Sequence, residues 1–546
     1  MIKYNSDDKI LSNIARVVEK RAKREVNLTL VLDKSMDEFD AKYEDGVITS
    51  GSYHGVIEVC GRVLRNPNLE NDTFHSHKEL CGMYFASHNH NFYEIAPVEE
   101  LCDYVEELAL WGMNTIKMWF DMYYFEDMAD GQWFVDKITK VLLHAKSIGV
   151  KIVLGILSNE AFRHSPEELR ADWTSGHDGY IYNLNDHYHV ELCPSIPGGM
   201  EKILEYRRQY IEAFRAVEPD FVTIGPYDEG GCSCKDCAPW GSNGYLRCVE
   251  ALTELIREYW PKTEIIISTW QFGTFTGTNV EFEGMKKALN DGRMKEARYI
   301  TAEPQYQLYP FEQGMPRPII GFPEISMCET IPWGGYGTNP LPTLLQHLWD
   351  KNGDKLEGGW PYSEGYYEDI NKVIVLRHYR DNQPAVQTVR EYIAYEFGFE
   401  GEMLDKVHQA IMDMEHTFYR TFEKGHRYVP KSGDYLPEGF TNDPQPELIP
   451  EIEKVILEAD ALLPEKIKNG PRWQMIYLRA VIDGELYRNN YTRNDKVLEY
   501  FNKIVEVSHL EKANRHVKPD VYSVDLFARD YTPEEMAIIA AGGKVD

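Results

Sequence analysis

The sequence is short of positive charge, holds no long apolar run and gives its cysteines no paired spacing. Only 58 Lys and Arg stand against 88 Asp and Glu, a formal net charge of −30. A field of that sign repels phosphate backbones and anionic lipid, which excludes nucleic acid and membranes as partners. No apolar stretch of the roughly 18 residues needed to span a bilayer is present. The opening MIKYNSDDKILSNIARVVEK lacks the apolar centre of a signal peptide. Nine cysteines, an odd number, give no disulfide framework. These absences point to the reducing cytoplasm and to substrate met after import. No internal repeat or low-complexity segment is evident either.

What is plentiful is aromatic: 12% of residues, with 35 Tyr and 11 Trp. Ring faces that stack on sugars are one use for that excess, and large aromatic cores are the other. At 546 residues the chain exceeds a single core, so two or three domains are expected.

Residues 1–75 read as a small α/β domain, with helices at 9–23 and 53–63 and a strand at 26–32. From residue 76 to 381 the pattern becomes apolar strands alternating with amphipathic helices. Strands are predicted at 83–86, 115–120, 151–157, 221–224, 264–269, 297–301, 318–322 and 356–359. Helices between them carry apolar residues at helical period and stop at glycines such as Gly112 and Gly149. Eight such units favour a closed (β/α)8 TIM barrel. An open doubly wound sheet is the alternative, and no Gly-rich dinucleotide fingerprint follows the first strand to support it. Residues 382–546 read as a helical C-terminal domain that packs on the barrel and offers a surface for homo-oligomer contact.

Barrel enzymes carry their chemistry at the C-terminal ends of the strands. Those segments are rich in acids, aromatics and histidine: His88 and His90 after the first strand, Asp121 after the second, and Trp270 after the fifth. Glu303 and Tyr306 follow the sixth, Glu324 the seventh, and Trp360, Tyr362 and Glu364 the eighth. Gly225-Pro-Tyr-Asp-Glu-Gly-Gly follows the fourth. Adjacent Asp228 and Glu229 resist ionising together, so one holds its proton near neutral pH, where a leaving glycosidic oxygen can receive it. An ordinary acidic surface turn is the plainer alternative.

The order of small α/β domain, barrel and Asp-Glu after the fourth strand resembles the β-N-acetylhexosaminidase family of glycoside hydrolases. Gly358-Gly-Trp-Pro-Tyr-Ser-Glu364 is similar to that family's eighth strand. The resemblance implies an exo-acting enzyme that removes a terminal N-acetylhexosamine with help from the substrate's own acetamide and no catalytic cofactor. It implies that Asp228 orients the acetamide and Glu229 is the general acid and base. Glu364 would bind sugar hydroxyls, with Trp270, Tyr362 and Tyr306 about the acetamido pocket. The sequence departs from the family at Cys81-Gly82, where members carry Arg before the glycine, and at 118–121, which lacks the usual His. A related barrel acting on a uronide or neutral hexoside would instead pair Glu229 with Glu303, Glu324 or Glu364. A non-catalytic sugar-binding barrel and a metal hydrolase using His88 and His90 complete the alternatives.

Gly231-Cys-Ser-Cys-Lys-Asp-Cys237 sets three thiols within six residues, and Cys193 in the preceding loop is the candidate fourth ligand of a structural zinc. Buried small hydrophobes are the plainer reading. His88 and His90, two apart, can share one strand face and contact sugar. Trp333, in a Gly-rich loop, reads as a stacking platform or a packed loop aromatic.

Overall fold

The computed structural model describes residues 1–87, 91–125, 128–162, 164–172, 190–226, 231–273, 276–303, 307–326, 337–363, 368–417, 445–490 and 494–509. A five-stranded sheet comes first, in the order β1 (Ile2–Lys3), β2 (Leu28–Leu32), β4 (Val47–Ser50), β3 (Asp40–Glu44) and β5 (Asp72–His75). Asp45 and Gly46, with φ of 48° and 84°, make the two-residue turn between β3 and β4. Positive φ at both positions is what a tight hairpin demands, and Asp-Gly supplies it. Helix α1 (Lys9–Arg21) starts where the Asp8 carboxylate accepts the amides of Ile10 and Leu11, both at 3.0 Å. Ser52 caps α2 (Tyr53–Arg65) in the same way. The edge strand β5 has no apolar alternation, which is why residue pattern alone did not reveal it.

Gly61 brings α2 against α4 (Val98–Leu110), which follows the short α3 (Phe92–Ile95): a β-carbon there would lie 1.8 Å from the Leu110 carbonyl oxygen. Gly61→Ala is therefore expected to lower stability by about 1–3 kcal/mol, read as a shift in the denaturation midpoint. An unchanged midpoint would deny this close approach. Beside it, Glu58 is buried among Arg62, Arg377 and Arg380, at 2.5, 3.3 and 3.5 Å. Burial would raise its carboxyl, but the guanidiniums outweigh that and hold it at about 2.

Eight parallel strands then close on themselves: β6 (Leu80–Phe85), β7 (Thr115–Met118), β8 (Lys151–Leu157), β9 (Phe221–Gly225), β10 (Glu264–Ser268), β11 (Ala297–Ala302), β12 (Ile319–Gly321) and β14 (Leu356–Gly359). Gly358 pairs with Leu80, and Gly82 with Thr115, so the ring has no edge. This is the expected TIM barrel, and every expected strand is present. Strands seven and eight run further than expected. Past Pro323 and Pro361, which interrupt the ladder for want of an N–H, the chain resumes as β13 (Glu324–Ser326) and β15 (Tyr362–Ser363), paired to each other. Gly112 and Gly149 end their helices with φ of 111° and 87°, as the sequence suggests.

Alternate residues divide between two cores. Phe221, Ile266 and Tyr299 fill the inside of the barrel, whereas Val222, Ile224, Ile265 and Ile267 face the surrounding helices. Both faces of each strand are buried, as a parallel barrel requires.

Helices α5 (Met128–Ser147), α6 (Gly199–Ala213), α7 (Gly244–Tyr259), α8 (Val280–Asn290), α9 (Leu308–Gln313), α10 (Pro342–Asn352) and α11 (Asp369–Asp381) complete the barrel. Beyond them come α12 (Ala385–Phe397), α13 (Gly401–Met414), α14 (Ile449–Leu462), α15 (Glu465–Lys468), α16 (Pro471–Arg488) and α17 (Asp495–Val507). These helices brace the mouth of the barrel. The Glu415 carboxylate accepts the amides of Thr343 and Leu344 at 2.8 and 3.0 Å, capping α10. Buried Arg479 on α16 donates to the Thr338 carbonyl and the Asn339 side chain at 2.7 and 2.8 Å. No helix among the described residues is long and apolar enough to cross a membrane.

Candidate active site

The C-terminal ends of the strands open into an aromatic bowl. Its rings come from strands that close on one another: Tyr84 from β6, Trp119 after β7, Phe322 after β12 and Tyr362 from β15. Tyr84 lies 6.5 Å from Trp119, 5.5 Å from Phe322 and 5.2 Å from Tyr362 between ring centres. Phe322 lies 5.2 Å from Tyr362 and meets Trp270 edge to face at 6.2 Å. Trp270, Phe322 and Tyr362 remain half-buried, so these rings face the opening.

Trp360 was expected to touch substrate, but it is fully buried. Gly82 gives it room: a β-carbon there would come within 3.2 Å of the Trp360 Cβ. Trp360 therefore floors the bowl. Asp121 is buried and accepts the indole N–H of Trp119 at 2.6 Å, which fixes that ring. Glu303 is buried at the end of β11, its amide donating to Gln307 Oε1 at 3.2 Å. Gln307 also accepts the Thr269 hydroxyl at 2.7 Å, tying the ends of the fifth and sixth strands together. Glu324, also buried, pairs in register with Tyr362. The structure thus brings Asp121, Trp270, Glu303, Glu324, Trp360 and Tyr362 to one end of the barrel. Asp228, Glu229, His88, His90, Tyr306, Trp333 and Glu364 lie outside the described residues.

Two groups here have no counterpart in the sequence reading. Lys117, on β7, points inward beneath the rings. Its Nζ is 4.3 Å from the Tyr84 ring centre, 5.7 Å from Trp360, and 5.9 Å from Trp119 and Phe322. It pairs with no carboxylate among the described residues, and burial pushes its ammonium down to about 7. Gly155 on β8 makes space for it, since a β-carbon there would sit 3.2 Å from Lys117 Cε. The parity of Thr115, Lys117 and Trp119 along one strand was the available signal. The second group is Glu368, just before α11, whose carboxyl burial raises to about 8 against the pull of Lys372.

The end of β9 is tied to its neighbours. Tyr245 on α7 donates its hydroxyl to the Ile224 carbonyl at 2.7 Å and accepts the Ser268 amide at 2.9 Å. Gly231 has φ of 126°, and a β-carbon there would fall 2.0 Å from the buried Trp240 ring. A side chain at that position is thus excluded on both counts. Past this glycine, the sulfurs of Cys193, Cys232, Cys234 and Cys237 lie within 4.8 Å of one another, the one group among the described residues able to hold a metal. Of the other cysteines, Cys60, Cys81 and Cys248 are buried and Cys102 is partly buried, while Cys328 lies outside the described residues.

No protein-family model matches the chain, and no curated protein matches its sequence. Among solved structures, it is similar to a Clostridium perfringens family 89 glycoside hydrolase, a doubly substituted form in complex with its substrate GlcNAc-alpha-1,4-galactose. The two share 12% identity at a TM-score of 0.61, covering 95% of this chain and 69% of that one. The same enzyme in complex with PUGNAc gives 14% identity and a TM-score of 0.60, with the same coverage. A GH138 enzyme targeting pectin rhamnogalacturonan II gives 10% identity and a TM-score of 0.53, covering 97% and 74%. At such identities the shared property is the fold: a barrel with additional domains.

Proposed function

We propose that this chain is an exo-acting glycoside hydrolase that releases a terminal N-acetylhexosamine. The observation that carries the reading is the ring of Tyr84, Trp119, Trp270, Phe322 and Tyr362 around the strand ends. Rings facing a polar mouth suit the apolar faces of a pyranose, and buried acids beside them suit its hydroxyls. Ligands of the family 89 enzyme, GlcNAc-alpha-1,4-galactose and PUGNAc, support a 2-acetamido sugar. Glu229 protonates the leaving oxygen and then activates water, while Asp228 orients the acetamide as it closes on the anomeric carbon. Their part rests on their position in sequence, three and four residues past the end of β9.

A second reading, a hydrolase of uronides, is favoured by Lys117, a cation inside the aromatic bowl that suits a sugar carboxylate. The pectin-directed GH138 neighbour is consistent with it. Both anomers of nitrophenyl N-acetylglucosaminide, N-acetylgalactosaminide, hexosides and uronides separate the two. Release from acetamido sugars, blocked by PUGNAc, is the expected result. Release from uronides alone transfers the assignment to the second reading, and silence across an extended panel removes the hydrolase.

A further inference from the structure

We propose that Cys193, Cys232, Cys234 and Cys237 hold one structural zinc ion, a clasp between the loops that follow the third and fourth barrel strands. The distances carry the argument. Cys193 Sγ lies 3.7 Å from the sulfurs of both Cys234 and Cys237, and all four sulfurs fall within 4.8 Å of one another. A tetrahedron with zinc–sulfur bonds of about 2.3 Å has edges of about 3.8 Å. None of the four is disulfide-bonded. Elsewhere, Cys60, Cys81 and Cys248 are buried as isolated small hydrophobes. Four thiols converging on a point is a different arrangement, and it matches a closed thiolate shell with no position left for water or substrate. The site is therefore structural.

Its surroundings prepare it. Backbone hydrogen bonds fix the Cys193 segment against the end of the third strand: Leu192 N donates to Asn159 O, and Cys193 N to Leu169 O, each at 2.9 Å. Across the site, Cys237 N donates to Cys234 O at 3.0 Å, and Gly244 N, opening α7, to Cys237 O at 3.1 Å. The Ser195 hydroxyl sits 3.0 Å from Cys237 Sγ and accepts from the Arg247 guanidinium. Four thiolates around a divalent ion leave two negative charges, and this relay sets a cation next to them. In sequence, residues 226–231 separate the end of β9 from the first ligand, Cys232. That span includes Asp228 and Glu229. The metal assignment does not rest on the hydrolase reading above.

The full chain, produced in zinc-supplemented medium and purified without chelator, should carry one zinc per chain by mass spectrometry of the digested protein. Cobalt substitution should give the strong visible bands and near-ultraviolet charge transfer of a tetrahedral thiolate site. Cys234→Ser should lose the metal, and Cys60→Ser, on α2 and outside the cluster, should keep it. Should Cys234→Ser fail to fold, titrating the wild type with a mercurial thiol reagent decides: zinc release should track modification of four thiols. Iron, no metal, or a disulfide among the four in peptide mapping overturns the assignment.

Discussion

Glu229→Gln is expected to lower kcat by roughly 10²–10⁴-fold on a glycoside whose leaving group must be protonated, with KM little changed. The amide keeps the size and hydrogen-bonding reach of the carboxyl but has no proton to give. An aryl glycoside whose leaving group departs readily as an anion should lose much less, because bond cleavage no longer waits for that proton. A bound sugar should still protect the variant against heat, which separates lost chemistry from lost folding. Near wild-type turnover on every cleavable glycoside would remove Glu229 from the mechanism. Asp228→Asn tests a different step. If the acetamide is the nucleophile, the closed oxazoline-like intermediate carries positive charge that the aspartate balances. Activity and affinity for a thiazoline inhibitor should then fall together. Indifference of the wild type to that inhibitor would leave the hydrolase and remove the substrate-assisted step.

Much of the barrel was legible because a parallel strand buried on both faces is an apolar run, and an amphipathic helix with a glycine stop marks the gap to the next. Strands such as Lys151–Leu157 and Phe221–Gly225 stand where the run predicts. The same double burial hides what the interior contains. Alternation carries no contrast when Val222 and Phe221 are equally apolar, so nothing marks which of them faces the bowl. Pro323 ends the apparent seventh strand, and the continuation as β13, Glu-Ile-Ser, has no apolar run to mark it. Lys117 was passed over because a lone lysine in a strand normally signals an exposed face. The cysteines were more informative than the acids. Their spacing set three thiols together, and the fourth could be sought in the neighbouring loop, whereas a distant carboxylate such as Glu303 or Glu324 is one among 88 acids.

Lys117→Met should stabilise the protein most below pH 7 and progressively less towards pH 10. The unfolded chain holds the lysine proton up to about 10.5, while the folded chain releases it near 7. Between those values the unfolded state binds more protons, so wild-type stability rises with pH across the window. Below it both states are charged, and the folded state bears the full cost of a desolvated ammonium. A fall from 10.5 to about 7 sets a ceiling of about 5 kcal/mol on that cost. The aromatic rings around Nζ offset part of it, since their negative faces attract the cation, so the measured gain should lie below the ceiling. Denaturation midpoints of both proteins at pH 6 and pH 9.5 give the comparison, and subtracting one from the other removes every other titrating group. A difference independent of pH would mean that Lys117 keeps an ordinary charge, reached by water or a partner. Activity adds a second discrimination. If the substrate is an acetamido sugar, removing the cation leaves turnover largely intact. If it is a uronide, the sugar carboxylate loses its counter-charge in a low-dielectric bowl, and the loss should fall on KM. A protein would keep so costly a lysine beneath its aromatic rings if a bound anion repaid the desolvation, and the pH profile and the KM together test whether one does.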